Sequence, residues 1–377
     1  MSTKITVDTV LLKLASRCNL DCGYCYVYHM GDDAWRRQPK RMSPQILEAV
    51  ADRLGELYAK QGSEFSVVFH GGEPLLVGPK RFAEICVALR NRIPLSCGLH
   101  LQTNGILLSS DVLDACAEHD VGISISLDGP SATHDRNRVD HRGAPSHAKV
   151  LSGVERLLAH PAGAELFSGV LAVVDLDADP GEVYAFLKSI GAPSIDFLYR
   201  DGNHDQLPVG KVSLVSTEYG DWMGRLLDIY LADATPVRIR VLDDMLKLLL
   251  GGKARKEGIG LNSYGIVVID TDGAVNKNDT LKSSFAAADR FRAQWSVLTD
   301  DLFDIVCSDE FEAYHRSQLP TSPVCLSCQD LAVCGGGMPA HRWSSQNGFT
   351  NPSVFCADQH RLIDLMRRHL NRRRLAA

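Results

Sequence analysis

Arg17-Cys18-Asn19-Leu20-Asp21-Cys22-Gly23-Tyr24-Cys25-Tyr26 follows directly on the strand-like apolar run Thr9 to Leu14. Its cysteines are spaced C-x3-C-x2-C. Three thiolates this close can hold three corners of a four-iron cluster, since cysteine thiolate is the usual iron–sulfur ligand. One iron is then left without a protein ligand, and an open coordination position turns a structural metal centre into a reactive one. A zinc knuckle is the competing reading. It needs a fourth ligand nearby, and His29 is the residue at hand.

Outward from this stretch, from Thr9 to about Arg200, short β-branched runs alternate with helical periodicity. Strands are expected at Val10–Leu14, Ser66–His70, Gly98–Thr103, Gly122–Leu127, Gly169–Val174 and Ser194–Leu198. The clearest helix starts at Ser43-Pro44, an N-cap followed by proline in the first turn, with Ile46, Leu47, Val50, Leu54 and Leu57 on one face. Such β–α units in series imply an α/β fold with a parallel sheet and right-handed crossovers, either doubly wound or a barrel. Residues from about Asp201 to Gly260 read as a connector with helices near Thr217–Leu231 and Pro236–Leu250, the second stopped by Gly251-Gly252. From Leu261 the texture changes to a hairpin (Gly265–Ile269, a turn at Asp272-Gly273, then Val275), cysteine-rich loops and a closing helix from about Ala357 to Arg372. The expected organisation is therefore 1–205, 206–260 and 261–377.

The chain has 377 residues and a formal net charge of -6, which argues against bulk nucleic-acid binding. No apolar run is long enough to span a membrane, and Met1 to Leu14 lacks the layout of a secretion signal. Eleven cysteines in such a chain point to metal ligation in a reducing cytoplasm rather than to disulfides. Cys86, Cys97 and Cys116 fall in helix and edge regions and read as packed thiols, as does Cys307.

With its cysteine triad at the end of the first strand, the chain resembles the radical S-adenosylmethionine (SAM) enzymes. The resemblance implies an open, six-strand partial barrel of the TIM type with the site at the strand C-termini. It also implies that the open iron chelates SAM, whose reductive cleavage yields a 5′-deoxyadenosyl radical. His70-Gly71-Gly72-Glu73-Pro74 ends the second strand and resembles the family's GGEP motif. Paired glycines let backbone approach a ligand, and Glu73 can accept from the SAM ammonium. Gln102-Thr103-Asn104-Gly105 and Ser126-Leu127-Asp128-Gly129 end the next two strands, where Gln102, Asn104, Ser126 and Asp128 match ribose- and carboxylate-binding positions. Asn-Gly and Asp-Gly are also turn formers, which is the competing reading for Asn104 and Asp128. In His134-Asp135-Arg136-Asn137-Arg138, similar to an HDxxR element, Arg138 is expected to clamp the SAM carboxylate, with Arg136 as its rival. Tyr24 stands where the family places an aromatic against adenine.

Cys325-x2-Cys328-x5-Cys334 followed by Cys356 resembles the SPASM domain of radical SAM peptide maturases, which carries auxiliary four-iron clusters. Two further cysteines of that pattern are replaced here by Met338 and Asn278. The four that remain are the complete set of one auxiliary cluster, so one reactive [4Fe-4S] cluster with SAM and one auxiliary [4Fe-4S] cluster are expected. Tetrahedral zinc is the alternative for the four.

In sulfatase-maturing members the loop cysteine precedes the aspartate that takes the substrate proton. This chain keeps an acid in register, Asp279, and partial burial predicts a raised pKa for it. Asp272, at the hairpin tip, is the rival and already has a turn explanation. The loop Phe197 to Asp205 is rich in hydrogen-bonding groups. With the reduced cysteine set, it makes the chain most similar to maturases that build cyclophane crosslinks in ribosomal peptides. The expected function is thus a C–C bond between a β-carbon and a nearby aromatic ring of a precursor peptide. Formylglycine formation, as in anaerobic sulfatase maturases, stays open, as do epimerisation and thioether formation. Expected partners are the precursor peptide and a flavodoxin or ferredoxin, with no nucleic acid and no membrane. The basic end, Arg367-Arg368 and Arg372-Arg373-Arg374, reads as a solvated helix face.

Overall fold

The structure, a computed structural model, describes residues 5–376, with side chains up to Arg372; Arg373 and Arg374 of the basic run therefore lie outside the described side chains. Its contacts divide the chain into two compact units. The first comprises 1–127, 134–169 and 264–315, and the second 128–133, 170–263 and 316–377.

The first unit is built on a sheet whose order is β4-β3-β2-β1-β8-β9. Its strands are β1 (Thr9–Ala15), β2 (Ser66–Gly71), β3 (Leu99–Thr103), β4 (Val121–Ser126), β8 (Ile266–Ile269) and β9 (Val275–Asn276). The strands from β4 to β8 run parallel, and β9 turns back antiparallel on β8. Parallel strands are covered on both faces, which is why they read as apolar runs. Val10, Leu12 and Leu14 of β1 and all four residues of β8 are buried. The helix Pro44–Gln61 starts as expected, with Ser43 accepting from the Ile46 N–H, and buries Leu47, Val50, Ala51, Leu54 and Leu57.

The hairpin is where the linear division and the structure follow different lines. β8 pairs with β1 in the register Thr9↔Ile266 to Leu12↔Ile269, so 264–315 packs with the N-terminal strands. Four consecutive apolar residues, Ile266 to Ile269, suit a central strand better than an exposed hairpin.

The second unit holds β5 (Phe167–Val173) from Val170 onward, β6 (Ser194–Leu198) and β7 (Arg238–Ile239), all parallel. β7 was not legible in the sequence. Its two residues pair with Ser194 and Ile195, so the helix expected from Pro236 starts instead at Arg240 and ends at Leu249. The helices Glu218–Ala232 and Cys356–Ala376 pack together, pinned by a fully buried Lys211–Asp358 pair at 2.6 Å; the other Asp358 oxygen accepts from the Gly220 N–H at 2.8 Å.

Among the described residues no helix is long and apolar enough to cross a membrane. All eleven cysteines are free. Cys86, Cys97 and Cys116 are buried as expected, whereas Cys307 is exposed, because it ends the short helix Leu302–Val306 rather than packing inside one.

Candidate active site and auxiliary cysteine centre

β1 delivers the Cys18 loop to the C-terminal ends of β2 and β3. Gly71 and Gly72 are needed for that approach. A Cβ on Gly71 would lie 2.2 Å from the Ala15 carbonyl oxygen, and one on Gly72 2.1 Å from the Tyr28 hydroxyl. Gly71 also sits at φ +127°, a conformation that favours glycine. The Gly72 and Glu73 N–H groups donate to Ala15 O and Arg17 O, at 2.9 and 3.0 Å, which straps β2 to the loop. On its other side the loop is held by 137–141: Asp21 N–H donates to Val139 O, Gly23 N–H to Asn137 O, and His141 Nε2 contacts Cys18 O at 2.9 Å.

Glu73 is 1 % exposed, and its carboxylate is committed to three protein donors: the Thr103 hydroxyl, the Asn104 N–H and the Leu75 N–H. Burial, opposed by those hydrogen bonds, raises its pKa. Its side chain thus ties the end of β2 to that of β3. Asn104 Nδ2 donates to Asn19 Oδ1 at 2.7 Å beside Cys18, and Gln102 Nε2 donates to Ser126 Oγ at 2.9 Å. Asp128 lies in the other unit, where it accepts from the Val173 N–H at 3.0 Å.

Arg138 and its rival Arg136 differ in burial. Arg138 is 8 % exposed and donates to the Tyr24 hydroxyl at 2.9 Å, whereas Arg136 is exposed. The rest of the element positions Arg138. Asp135 accepts from the Ser146 and His147 N–H groups, and Ser146 Oγ donates to Arg138 O while contacting His134 Nε2.

Asp279 is 1 % exposed, not a solvated turn residue, and Asp272 is confined to its own turn, accepting from the Ala274 N–H. Asp279 opens a 3₁₀ turn capped by Asn278. The Tyr26 hydroxyl donates to its Oδ1 at 3.0 Å, and Lys13 Nζ lies 3.0 Å from its Oδ2 and 3.1 Å from Asp270 Oδ1. The raised pKa expected for Asp279 is corrected here. Burial does push the carboxyl up, but the Lys13 ammonium, with His70 and Lys282, outweighs it and holds the pKa down at about 2. Burial and the paired carboxylates act in opposite directions on Lys13, and its pKa rises. Sequence reading missed Lys13, Tyr26, Asn19 and Thr103. Lys13 left a signal, a lysine inside an apolar parallel strand, where lysine is rarely buried unless paired.

Residues 12–165 match the radical SAM superfamily. They are a radical SAM domain, and the chain is a radical SAM enzyme. It is similar to the cysteine-type anaerobic sulfatase-maturating enzyme of Clostridium perfringens (26 % identity, covering 92 % of this chain and 93 % of that one). The serine-type enzyme of Bacteroides thetaiotaomicron is 27 % identical over 87 % of this chain and 81 % of its own. In fold it resembles native anSMEcpe with bound AdoMet (TM-score 0.78, 22 % identity, 97 % and 98 % of the two chains). It also resembles Streptococcus suis SuiB bound to precursor peptide SuiA (TM-score 0.59, 15 % identity, 89 % and 72 %).

Radical SAM enzymes require a [4Fe-4S] cluster with SAM, and the donor set of this one fits. Burial pushes the Cys18 thiol up to about 12 and Cys25 to about 11, so a bound cation is needed to hold them as thiolates. In the second unit Cys325, Cys328, Cys334 and Cys356 lie within one another's electrostatic reach, and burial lifts Cys334 to about 12 and Cys356 to about 11. Among the described residues, the one group of three or more donors drawn within 4.8 Å of one another is Cys328, Asp330 and His360. His29 is partly exposed, with its Nε2 2.9 Å from Asp21 Oδ1.

The polar loop after β6 is consumed by structure. The His204 N–H donates to Trp343 O, His204 Nε2 contacts Pro352 O at 2.8 Å, and Asp205 accepts from the Ser345 N–H.

Proposed function

We propose that this enzyme matures a peptide or protein by oxidising one side chain at its β-carbon. The form of that oxidation best supported is conversion of a cysteine or serine to formylglycine. Support comes from the likeness to sulfatase-maturating enzymes of both types along most of the chain. The observation that carries the reading is the buried Asp279 carboxylate, held between Lys13 and Tyr26, the residue that follows Cys25.

Cys18, Cys22 and Cys25 would hold the reactive cluster. Tyr24, Arg138, Asn104, Gln102 and Ser126, with the Gly71-Gly72 backbone, would surround SAM, and Glu73 would fix the strand ends behind them. When bound, the cluster and SAM supply a carbon-centred radical that removes a hydrogen atom from a substrate C–H bond. Arg138, its guanidinium fixed against Tyr24, offers the fork that matches a carboxylate. Asp279 accepts the proton that the oxidised side chain loses, and Lys13 keeps it ionised and ready. Loss of a hydrogen atom, a proton and an electron completes a two-electron oxidation: a serine side chain becomes the aldehyde directly, and a cysteine side chain becomes a thioaldehyde that water converts to the aldehyde with release of hydrogen sulfide. The electron leaves to a carrier of the flavodoxin or ferredoxin class.

A second reading, an aromatic–β-carbon crosslink in a ribosomal precursor peptide, has one specific observation in its favour. Asn278 and Met338 stand where the SPASM pattern has cysteines, and Asn278 is engaged as a turn cap for Thr280. The same proton and electron are lost in either case. One experiment separates the two: anaerobic turnover with a cysteine- or serine-containing sulfatase peptide and with an aromatic-containing ribosomal precursor peptide, each treated with an aldehyde-reactive hydrazide. Hydrazide capture supports formylglycine. Loss of two hydrogens without capture, with a block of residues that no longer fragments, supports the crosslink. An unchanged mass in both peptides refutes the proposal.

A further inference from the structure

The closing helix begins at Cys356 and carries His360 and Arg367 on the same face, one and three turns on. Both reach Asp330, which is 3 % exposed. His360 Nδ1 lies 2.5 Å from Asp330 Oδ2, and Arg367 pairs with Oδ1. Asp330 is two residues beyond Cys328, and its backbone N–H donates to the Cys328 sulfur at 3.3 Å. Fixed in this way, the His360 ring turns Nε2 to the same sulfur at 3.5 Å. A carboxylate behind an imidazole is the arrangement that sets ring orientation around metal centres.

We propose that His360, flanked by the Asp330 carboxylate and the Cys328 thiolate, carries a proton on each ring nitrogen, donates Nδ1–H to Asp330 and Nε2–H to the Cys328 thiolate of the auxiliary cluster, and raises the cluster's reduction potential. Reduction adds negative charge to the cluster and its sulfurs. A donor at a ligand sulfur therefore stabilises the reduced form more than the oxidised one, and hydrogen bonds to sulfur are among the factors that set such potentials. The contact is on the solvent side of the centre, since the His360 side chain is 45 % exposed while Cys325 is buried. His360 is thus a positioning residue for electron flow and touches no substrate.

The inference rests on Cys325, Cys328, Cys334 and Cys356 holding an iron–sulfur cluster. The test is an anaerobic redox titration of the reconstituted full-length holoenzyme, followed by electron paramagnetic resonance. Added SAM marks the signal of the reactive cluster and leaves the auxiliary signal to be followed. With iron content unchanged, His360→Phe should move the auxiliary midpoint to a more negative potential. His360→Gln, which keeps an N–H donor, should restore part of the shift, and Asp330→Asn should give a smaller change in the same direction. A protein with about eight irons whose auxiliary midpoint is the same in His360→Phe overturns the inference alone. Loss of the auxiliary iron from His360→Phe also overturns it, by making His360 a ligand. A wild-type protein with about four irons overturns the auxiliary cluster itself, and the inference with it.

Discussion

Lys13 shows how one residue changes the chemistry assigned to another. In the sequence it is a lysine among valines and leucines; in the fold it holds two buried carboxylates, Asp270 and Asp279. Asp279 could be singled out in the sequence because it keeps the register of the loop after the hairpin. Its ionisation was not, because the partner that decides it is far away in the chain and arrives only when β8 pairs with β1. Asp279→Asn should still cleave SAM, seen as 5′-deoxyadenosine, yet yield no modified peptide; normal product would remove it from the mechanism. Lys13→Met leaves the carboxylates unpaired. Removing one partner of a buried pair costs about 3–5 kcal/mol, to be read from denaturant or thermal unfolding. The pH dependence follows from the depressed pKa of Asp279, about 2 in the folded enzyme. Its stabilising contribution is complete above the unfolded value of about 3.9 and is lost as pH falls through the folded value. Asp279 should therefore be ionised throughout the working range. A carboxyl titrating near about pH 6 in wild-type minus Asp279→Asn difference infrared spectra would contradict this.

At the scale of elements, strand ends and caps were the most readable features. Ser43-Pro44, Gly71-Gly72 and the cysteine spacings announce themselves because only certain residue types satisfy those backbone and metal demands. The two-residue β7 and the parallel pairing of β8 left no local signal, since register between distant strands is set by packing and not by local propensity. Gly71→Ala tests the junction of β2 with the Cys18 loop. The added methyl meets the Ala15 carbonyl at 2.2 Å, so the loop must shift. Reconstituted Gly71→Ala protein should lose iron from the reactive cluster while keeping the auxiliary one; a full iron complement would show that the close approach is dispensable. In the second unit, Asp358→Ala strands the buried Lys211 ammonium and frees the Gly220 N–H. It should cost about 3–5 kcal/mol in unfolding free energy, and a loss below about 1 would mean that water or relaxation replaces the pair.

For the molecule as a whole, the α/β class, the cysteine-rich C-terminal region and the radical SAM chemistry were all readable from two cysteine patterns and their strand context. The exact transformation was not, because formylglycine formation and crosslinking remove the same proton and electron and use the same scaffold. The cluster inventory is more accessible. Anaerobic reconstitution should give about eight irons per chain, and about four irons with zinc would refute the two-cluster reading. The central claim is that this enzyme takes a hydrogen atom from a side-chain β-carbon, and isotope transfer tests it most directly. A peptide that the enzyme modifies in the anaerobic turnover assay, deuterated at its β-positions, is turned over with the reconstituted enzyme, and the 5′-deoxyadenosine is weighed. Deuterium in the deoxyadenosine is the predicted result. A label that stays in the modified peptide, with transfer seen only from α-deuterated peptide, would contradict the account and make the enzyme an epimerase.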